Sequence, residues 1–226
     1  SHGFVAQSIG GGGGIAGDFP GPIAADAIDD DSLGAGGSGS AVTVSVDAVI
    51  ATSGAGAHGI LAQSIGGGGG LVGGASGTLA GSLYPDADSD AGAVSVTQAA
   101  RLTTSGEGSV GIFAQSAATD TDGTVTVTVN GAVTGGTGEN GVGVWVSEGG
   151  DFDGPNTLTV NGSVTAGDSD ADAIRYTSRF SATGGHTLAV ENNGTIDGDI
   201  VLTNADGGSA GTVTNDGTIE NDAGVD

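Results

Sequence analysis

Twice in this 226-residue chain three carboxylates stand at alternate positions, in Asp86-Ala87-Asp88-Ser89-Asp90 and in Asp168-Ser169-Asp170-Ala171-Asp172. Asp-x-Asp-x-Asp is how the first half of a calcium loop presents oxygens to a hard cation. Asp86, Asp88, Asp90, Asp168, Asp170 and Asp172 are therefore the candidate metal ligands, with calcium as the ion. The loop is incomplete, because the glycine expected at its sixth position is Ala91 or Ala173 and the closing glutamate is Thr97 or Arg179. A solvated acidic face that keeps a rod soluble is the plainer reading. No other cofactor is implied.

Catalytic patterns are weaker still. Asp29, Asp30 and Asp31 form a run, and Asp120 with Asp122 and Asp151 with Asp153 are shorter pairs. A glycosidase needs two carboxyls held about 5–10 Å apart on rigid backbone, and these lie in Gly/Ser/Asp loops. The histidines are His2, His58 and His186. The first two share one repeat position, which reads as a corner of the fold. Neither His-x-His nor His-Glu-x-x-His spacing occurs. There is no Gly-x-Ser-x-Gly elbow for a serine nucleophile. The polyglycine runs lack the Lys-Ser/Thr and helix start of a phosphate loop. The expectation is a protein without an active site.

Composition narrows the partners. The chain carries 27 Asp+Glu against 3 Lys+Arg, a formal charge of −24. Nucleic acid is excluded as a natural partner, because phosphate binding needs clustered Lys/Arg. Cysteine is absent, so no disulfide framework or thiolate site exists. Glycine supplies 49 residues. With four prolines and recurrent two-residue alternation, such as Val42-Thr43-Val44-Ser45-Val46 and Thr124-Val125-Thr126-Val127-Thr128-Val129, the chain reads as folded and all-β rather than disordered.

These strands belong to a repeat. His58-Gly59-Ile60-Leu61-Ala62-Gln63-Ser64-Ile65 precedes a glycine run at 66–70, and His2-Gly3-Phe4-Val5-Ala6-Gln7-Ser8-Ile9 precedes another at 10–14. Val110-Gly111-Ile112-Phe113-Ala114-Gln115-Ser116-Ala117 is a third copy without the run. The fourth is read as Asn140-Gly141-Val142-Gly143-Val144-Trp145-Val146-Ser147, with Gly141 level with Gly111, and a fifth as 172–178. A second element, Val-x-Val-Asn-Gly-x-Val in its fullest form, spans 127–133 and, with Leu158 in its first place, 158–164. One such coil cannot bury its inward face alone, but stacked coils turn each inward Val, Ile or Leu into a continuous column. The expected fold is a parallel, right-handed β-helix or β-solenoid of six or seven coils with Gly-rich corners. The whole of 1–226 reads as one solenoid segment of a longer chain. Long insertions are expected at about 15–40 and 71–92, and regular coils at about 93–226. Glycine and Asn/Asp at the corners, as in Asn130-Gly131 and Asn161-Gly162, are expected to supply positive φ. The competing reading closes each Asn-Gly as a hairpin in an antiparallel sheet. Gln7, Gln63 and Gln115 recur in register and are expected to form an amide ladder. Phe4, Phe113 and Trp145 sit on the repeat strand, as core or as an outward stripe for carbohydrate stacking.

The Ala-Gln-Ser-Ile phrase with its glycine run, behind His-Gly and two aliphatic residues, resembles the repeat in passenger regions of large bacterial autotransporters. The two full copies lie at 2–14 and 58–70 and the partial copy at 110–117. The resemblance implies a right-handed β-helical passenger exported through a C-terminal outer-membrane barrel. It implies an extracellular place on a Gram-negative cell surface, and a role in adhesion, autoaggregation or biofilm. Host-cell, abiotic or bacterial surfaces would be the partners, carbohydrate among them, and the insertions the contact regions. A second reading is a self-assembling filament or matrix subunit stacking through open coil ends. A polysaccharide-active β-helix enzyme is the distant third.

Overall fold

A computed structural model describes residues 1–11, 13–16, 37–72, 79–80, 89–118, 120–149, 155–178, 186–204 and 210–221. Among these the chain is all-β and forms a parallel β-helix of six coils. Each coil contributes one strand to each of three six-stranded sheets, and every pairing within those sheets is parallel. The first sheet stacks Phe4–Ile9, Ile60–Ile65, Val110–Ala117, Val142–Glu148, Asp172–Ser178 and Asp199–Thr203. The second stacks Val42–Val46, Val94–Gln98, Val125–Val129, Asn156–Val160, Leu188–Asn192 and Gly211–Asn215. The third, of three-residue strands, stacks Ile50–Thr52, Leu102–Thr104, Ala132–Thr134, Ser163–Thr165, Thr195–Asp197 and Thr218–Glu220. The chain visits first, second and third sheet in turn, so the antiparallel hairpin reading of the Asn-Gly steps is overturned. Those steps join a second-sheet strand to a third-sheet strand.

The alternation produces the core. Second-sheet strands alternate buried and solvated positions, as in Val42–Val46 and Val125–Val129. Their inward residues, with Leu102, Val133, Val164 and Ile196 of the third sheet and Ile60, Ile112, Val144 and Ile174 of the first, make one apolar column set. Each fully buried aliphatic side chain contributes about 1.5–3 kcal/mol of transfer free energy. The first sheet departs from this pattern. Ile60–Ile65 and Val110–Ala117 are buried along their whole length. Leu61, Phe113, Val110 and Val142 form a second cluster, in which Leu61 and Phe113 alternate with Ile60 and Ile112 and so lie on the opposite side of the sheet.

Two readings of glycine are corrected. The glycine level with Gly111 is Gly143, not Gly141, because Ile112 pairs with Val144 and Phe113 with Trp145. A shift of two residues keeps every side chain on its own face, so alternation alone does not detect it. The Asn-Gly corners also owe their glycine to contact rather than to φ. Positive φ is confined to Gly11, Gly56, Gly67, Gly68, Gly108, Gly138 and Gly198 among the described residues. At Gly162 a Cβ would lie 1.9 Å from the Gly131 carbonyl oxygen of the coil before it. The corner backbones stack too closely for any side chain.

The glycine runs do more than turn. Gly13–Ala16 pairs in parallel with Gly69–Val72, which pairs antiparallel with Leu79–Ala80, making a small separate sheet. Most of both expected insertions, including Phe19, Tyr84, Pro20, Pro22 and Pro85, lies outside the described residues.

Candidate functional site

The connections from first to second sheet are 10–41, 66–93, 118–124, 149–155, 179–187 and 204–210. They include both insertions, and all leave from the same corner of the stack. The chemistry just inside that corner is polar. In the first three coils its inward column is serine. Ser8 Oγ accepts the Ser40 N–H at 2.8 Å, Ser64 Oγ the Gly92 N–H at 2.8 Å, and Ser116 Oγ the Gly123 N–H at 2.9 Å. Ser64 also donates to the Ser40 carbonyl at 2.9 Å, and Ser116 to the Gly92 carbonyl at 3.1 Å. Each serine thus closes its own corner, and Ser64 and Ser116 also tie theirs to the coil before.

The fourth coil breaks the pattern. Glu148 pairs with Ser116 in the stack and is fully buried. Its Oε1 accepts from the Tyr176 hydroxyl and contacts His186 Nδ1 at 2.7 Å, while Oε2 accepts from Asn156 Nδ2 at 2.5 Å. Every partner is itself an exception in its column. Tyr176 follows Ala62, Ala114 and Val146. Asn156 stands between buried Val125, whose N–H its Oδ1 accepts at 2.7 Å, and Leu188. His186 precedes Leu188 by two residues, as Gly123 precedes Val125 and Gly92 precedes Val94. Three donors thereby converge on one carboxylate, which is what an acceptor-only group needs when water is excluded. Burial raises the Tyr176 hydroxyl well above its ordinary range, and its bond to Glu148 raises it further. Asp122, also buried, accepts the Ala118 N–H at 2.6 Å and the Gly149 N–H at 2.7 Å, joining this corner to the third coil. Among the described residues, His186 Nε2 and His58 Nε2 have no hydrogen-bond partner.

The residues singled out from sequence land elsewhere. Asp86 and Asp88 lie outside the described residues, as do Asp29, Asp30, Asp31, Asp151 and Asp153. Asp90 is exposed. Asp168 accepts the Gly138 N–H through both oxygens, at 3.1 and 3.0 Å. Asp172 is paired with Arg175 at 2.6 Å, and Asp170 is exposed. Among the described residues no group of three or more His, Cys, Asp or Glu side chains converges as a metal site. The glutamine ladder is present: Gln7 donates to Gln63 at 2.6 Å and Gln63 to Gln115 at 2.8 Å. Ser147 ends it, accepting from Gln115 at 3.3 Å. His2 and His58 stack with ring centroids 5.1 Å apart. The Nδ1 of each accepts a backbone N–H of the following coil, from His58 and Val110. Burial chiefly, and then His2, lowers the His58 pKa to about 4. Of the aromatics, Phe113 is buried and meets Trp145 edge-on at 5.3 Å, while Arg175 lies 5.3 Å over the Trp145 ring. Phe4 takes the inward column of the first coil.

The Glu148 cluster was missed at the sequence level, yet a signal existed. Once the fourth copy is aligned on Gly143, Gln-Ser of the repeat becomes Ser147-Glu148, a carboxylate in a column that elsewhere holds serine. Comparison with known proteins gives no match: no family model, no curated relative and no solved structure aligns significantly with the chain.

Proposed function

We propose that this chain is a non-catalytic segment of a bacterial cell-surface or secreted passenger, with a role in adhesion, autoaggregation or biofilm. The observation that carries the reading is the placement of every first-to-second-sheet connection, long and short, at one corner of a regular stack. Insertions on one face of a solenoid are the usual place for partner contacts, because the coils beneath hold them rigidly while their sequence is free to vary. The Gln, Ser and Asn ladders belong to that scaffold, since their polar groups are used along the stack. The repeat that resembles autotransporter passengers adds the Gram-negative surface and export through an outer-membrane barrel.

The test is binding of the purified chain to bacterial cells, abiotic surfaces and immobilised polysaccharide. It is repeated after 15–40 and 71–92 are each replaced by the seven-residue connection 118–124. The reading expects surface binding that falls to background when the insertions are removed while the far-ultraviolet β signal stays. Binding that survives both replacements places the contacts on the coils instead and overturns it.

A second reading, a filament or matrix subunit joined through coil ends, is favoured by one observation. Phe4 in the first coil of this segment is 42 % exposed, and Val213 and Ile219 in the sixth are 41 % and 42 % exposed, so both terminal coils present apolar residues that a further coil, of this chain or another, would cover. Open strand edges pair with other chains. Electron microscopy with millimolar calcium and with chelator separates the two: isolated short rods support display, and long filaments support assembly.

A further inference from the structure

Two registers of the fourth-coil strand Val142–Glu148 satisfy the repeat equally well. Gly141 and Gly143 are two residues apart, so either can stand in the glycine column formed by Gly3, Gly59 and Gly111. In the observed register a Cβ on Gly111 would lie 2.5 Å from the Gly143 carbonyl oxygen. A slip that levels Gly141 with Gly111 keeps glycine there. It also brings Val142 level with Ile112 and Val144 level with Ala114, so the inward columns still receive valine, because the strand period is two. The slip shortens the connection before the strand by two residues and lengthens the one after it by two. What does not survive is the polar cluster. Val146 would replace Glu148 in the serine column, leaving the Tyr176 hydroxyl, Asn156 Nδ2 and His186 Nδ1 facing a methyl group.

We propose that the buried Glu148–Asn156–Tyr176–His186 cluster is a register pin, which makes the observed pairing of the fourth coil the one in which Asn156 Nδ2, the Tyr176 hydroxyl and His186 Nδ1 all meet the Glu148 carboxylate. The four side chains come from three strands and one corner of the fourth and fifth coils, and Glu148 alone touches the other three. Buried polar groups of this kind stabilise a fold little compared with apolar packing, but penalise alternatives in which they are stranded. Among the described residues the other buried carboxylate is Asp122, which acts on the Tyr176 hydroxyl and accepts from the Ala118 and Gly149 N–H groups.

The chain has no cysteine, so engineered pairs report register directly. Gln115 and Ser147 are partners in the first sheet. Neighbouring parallel strands lie about 4.8 Å apart, within disulfide reach. Ala117 and Ser147 are diagonal, roughly 8 Å apart from the same strand spacings, and come level only after the two-residue slip. In the otherwise native chain, Gln115→Cys with Ser147→Cys is expected to close and Ala117→Cys with Ser147→Cys to stay open. Both pairs are then placed in a variant that returns each position to its column: Glu148→Ser, Asn156→Val, Tyr176→Val and His186→Gly. That variant is expected to keep its β-sheet circular dichroism and to close both pairs. A folded variant that closes only the Gln115 pair overturns the proposal, since register would then be fixed elsewhere, Trp145 being the next determinant. Loss of the β signal also overturns it, because the cluster would then supply stability rather than choice.

Discussion

At the corner between the first and second sheets, coils one to three and coils four to five solve the same problem with different chemistry. A serine hydroxyl accepts one backbone N–H in its own coil and, at Ser64 and Ser116, donates to one carbonyl in the coil before. Its bonds are neutral, local and repeated. Glu148 instead holds a carboxylate in the same column and satisfies it with three side chains. The serine corner is modular, so losing one hydroxyl costs one hydrogen-bonded site. The glutamate corner is all-or-none, because removing its centre strands every partner at once. The difference shows how a repeat protein whose coils are nearly interchangeable acquires a place that is not.

The largest effect therefore belongs to Glu148→Ala. A buried donor left without an acceptor costs about 1–3 kcal/mol, and here the donors of Tyr176, Asn156 and His186 all lose theirs at once. Urea denaturation should show the midpoint falling with an unchanged slope. A loss no greater than that of a single serine would mean that water replaces the carboxylate, and would erase the contrast between the two corners.

Next in size is Gly162→Ala, which probes what the two kinds of coil share. A Cβ there would sit 1.9 Å from the Gly131 carbonyl oxygen, so adjacent coils must part. The cost should be roughly 3 kcal/mol, the upper end of overpacking. Gly56→Ala is strained for another reason, its φ of 64°. Equal losses at the two sites would argue that φ, not stacking, governs both.

The histidine stack offers a pH test at the other end of the rod. His58 is held neutral, its pKa lowered to about 4 from 6.5, so the unfolded chain binds the proton more tightly. Its contribution is fully present above pH 6.5 and is lost as pH falls from 6.5 towards 4. Between pH 7 and pH 5 linkage makes this about 2 kcal/mol. Acid also neutralises part of the −24 charge, which acts in the opposite direction by easing self-repulsion. The measurement is thus the difference between the native chain and His58→Asn, which keeps an acceptor for the Val110 N–H but does not titrate. Parallel stability curves for the two between pH 5 and 7 would remove the histidine stack as a pH-sensitive element.

Much of the coil architecture was legible because both of its causes are periodic. Val-Thr-Val-Thr-Val fixes which face is buried, and the Gln-Ser phrase marks where each first-sheet strand recurs. The amide ladder at Gln7, Gln63 and Gln115 follows from those two facts. Register was not legible at Gly141 and Gly143, since two glycines two residues apart satisfy the same alternation. The reason for glycine at the Asn-Gly corners was hidden as well: the 1.9 Å approach at Gly162 depends on the coil before it, not on its neighbours in sequence. The Glu148 cluster was least visible, because its residues come from two successive coils and each looks ordinary in its own segment. Only the aligned columns show four exceptions meeting at one corner.

Ser64→Ala gives the smallest effect and calibrates the rest. The hydroxyl accepts from Gly92 N–H and donates to the Ser40 carbonyl, and alanine preserves the remaining volume. Ser40 is exposed and Gly92 half-buried, so water can reach the groups left behind. The expected loss is about 1 kcal/mol, the net worth of a hydrogen-bonded hydroxyl whose partners can be rehydrated. Ser116→Ala should cost nearly the same, because it makes the same two kinds of bond one coil further on. If the pair instead differ by more than the additivity error of about 0.5 kcal/mol, the serine corners are not modular. The uniqueness assigned to the fourth coil would then have to be shared along the column.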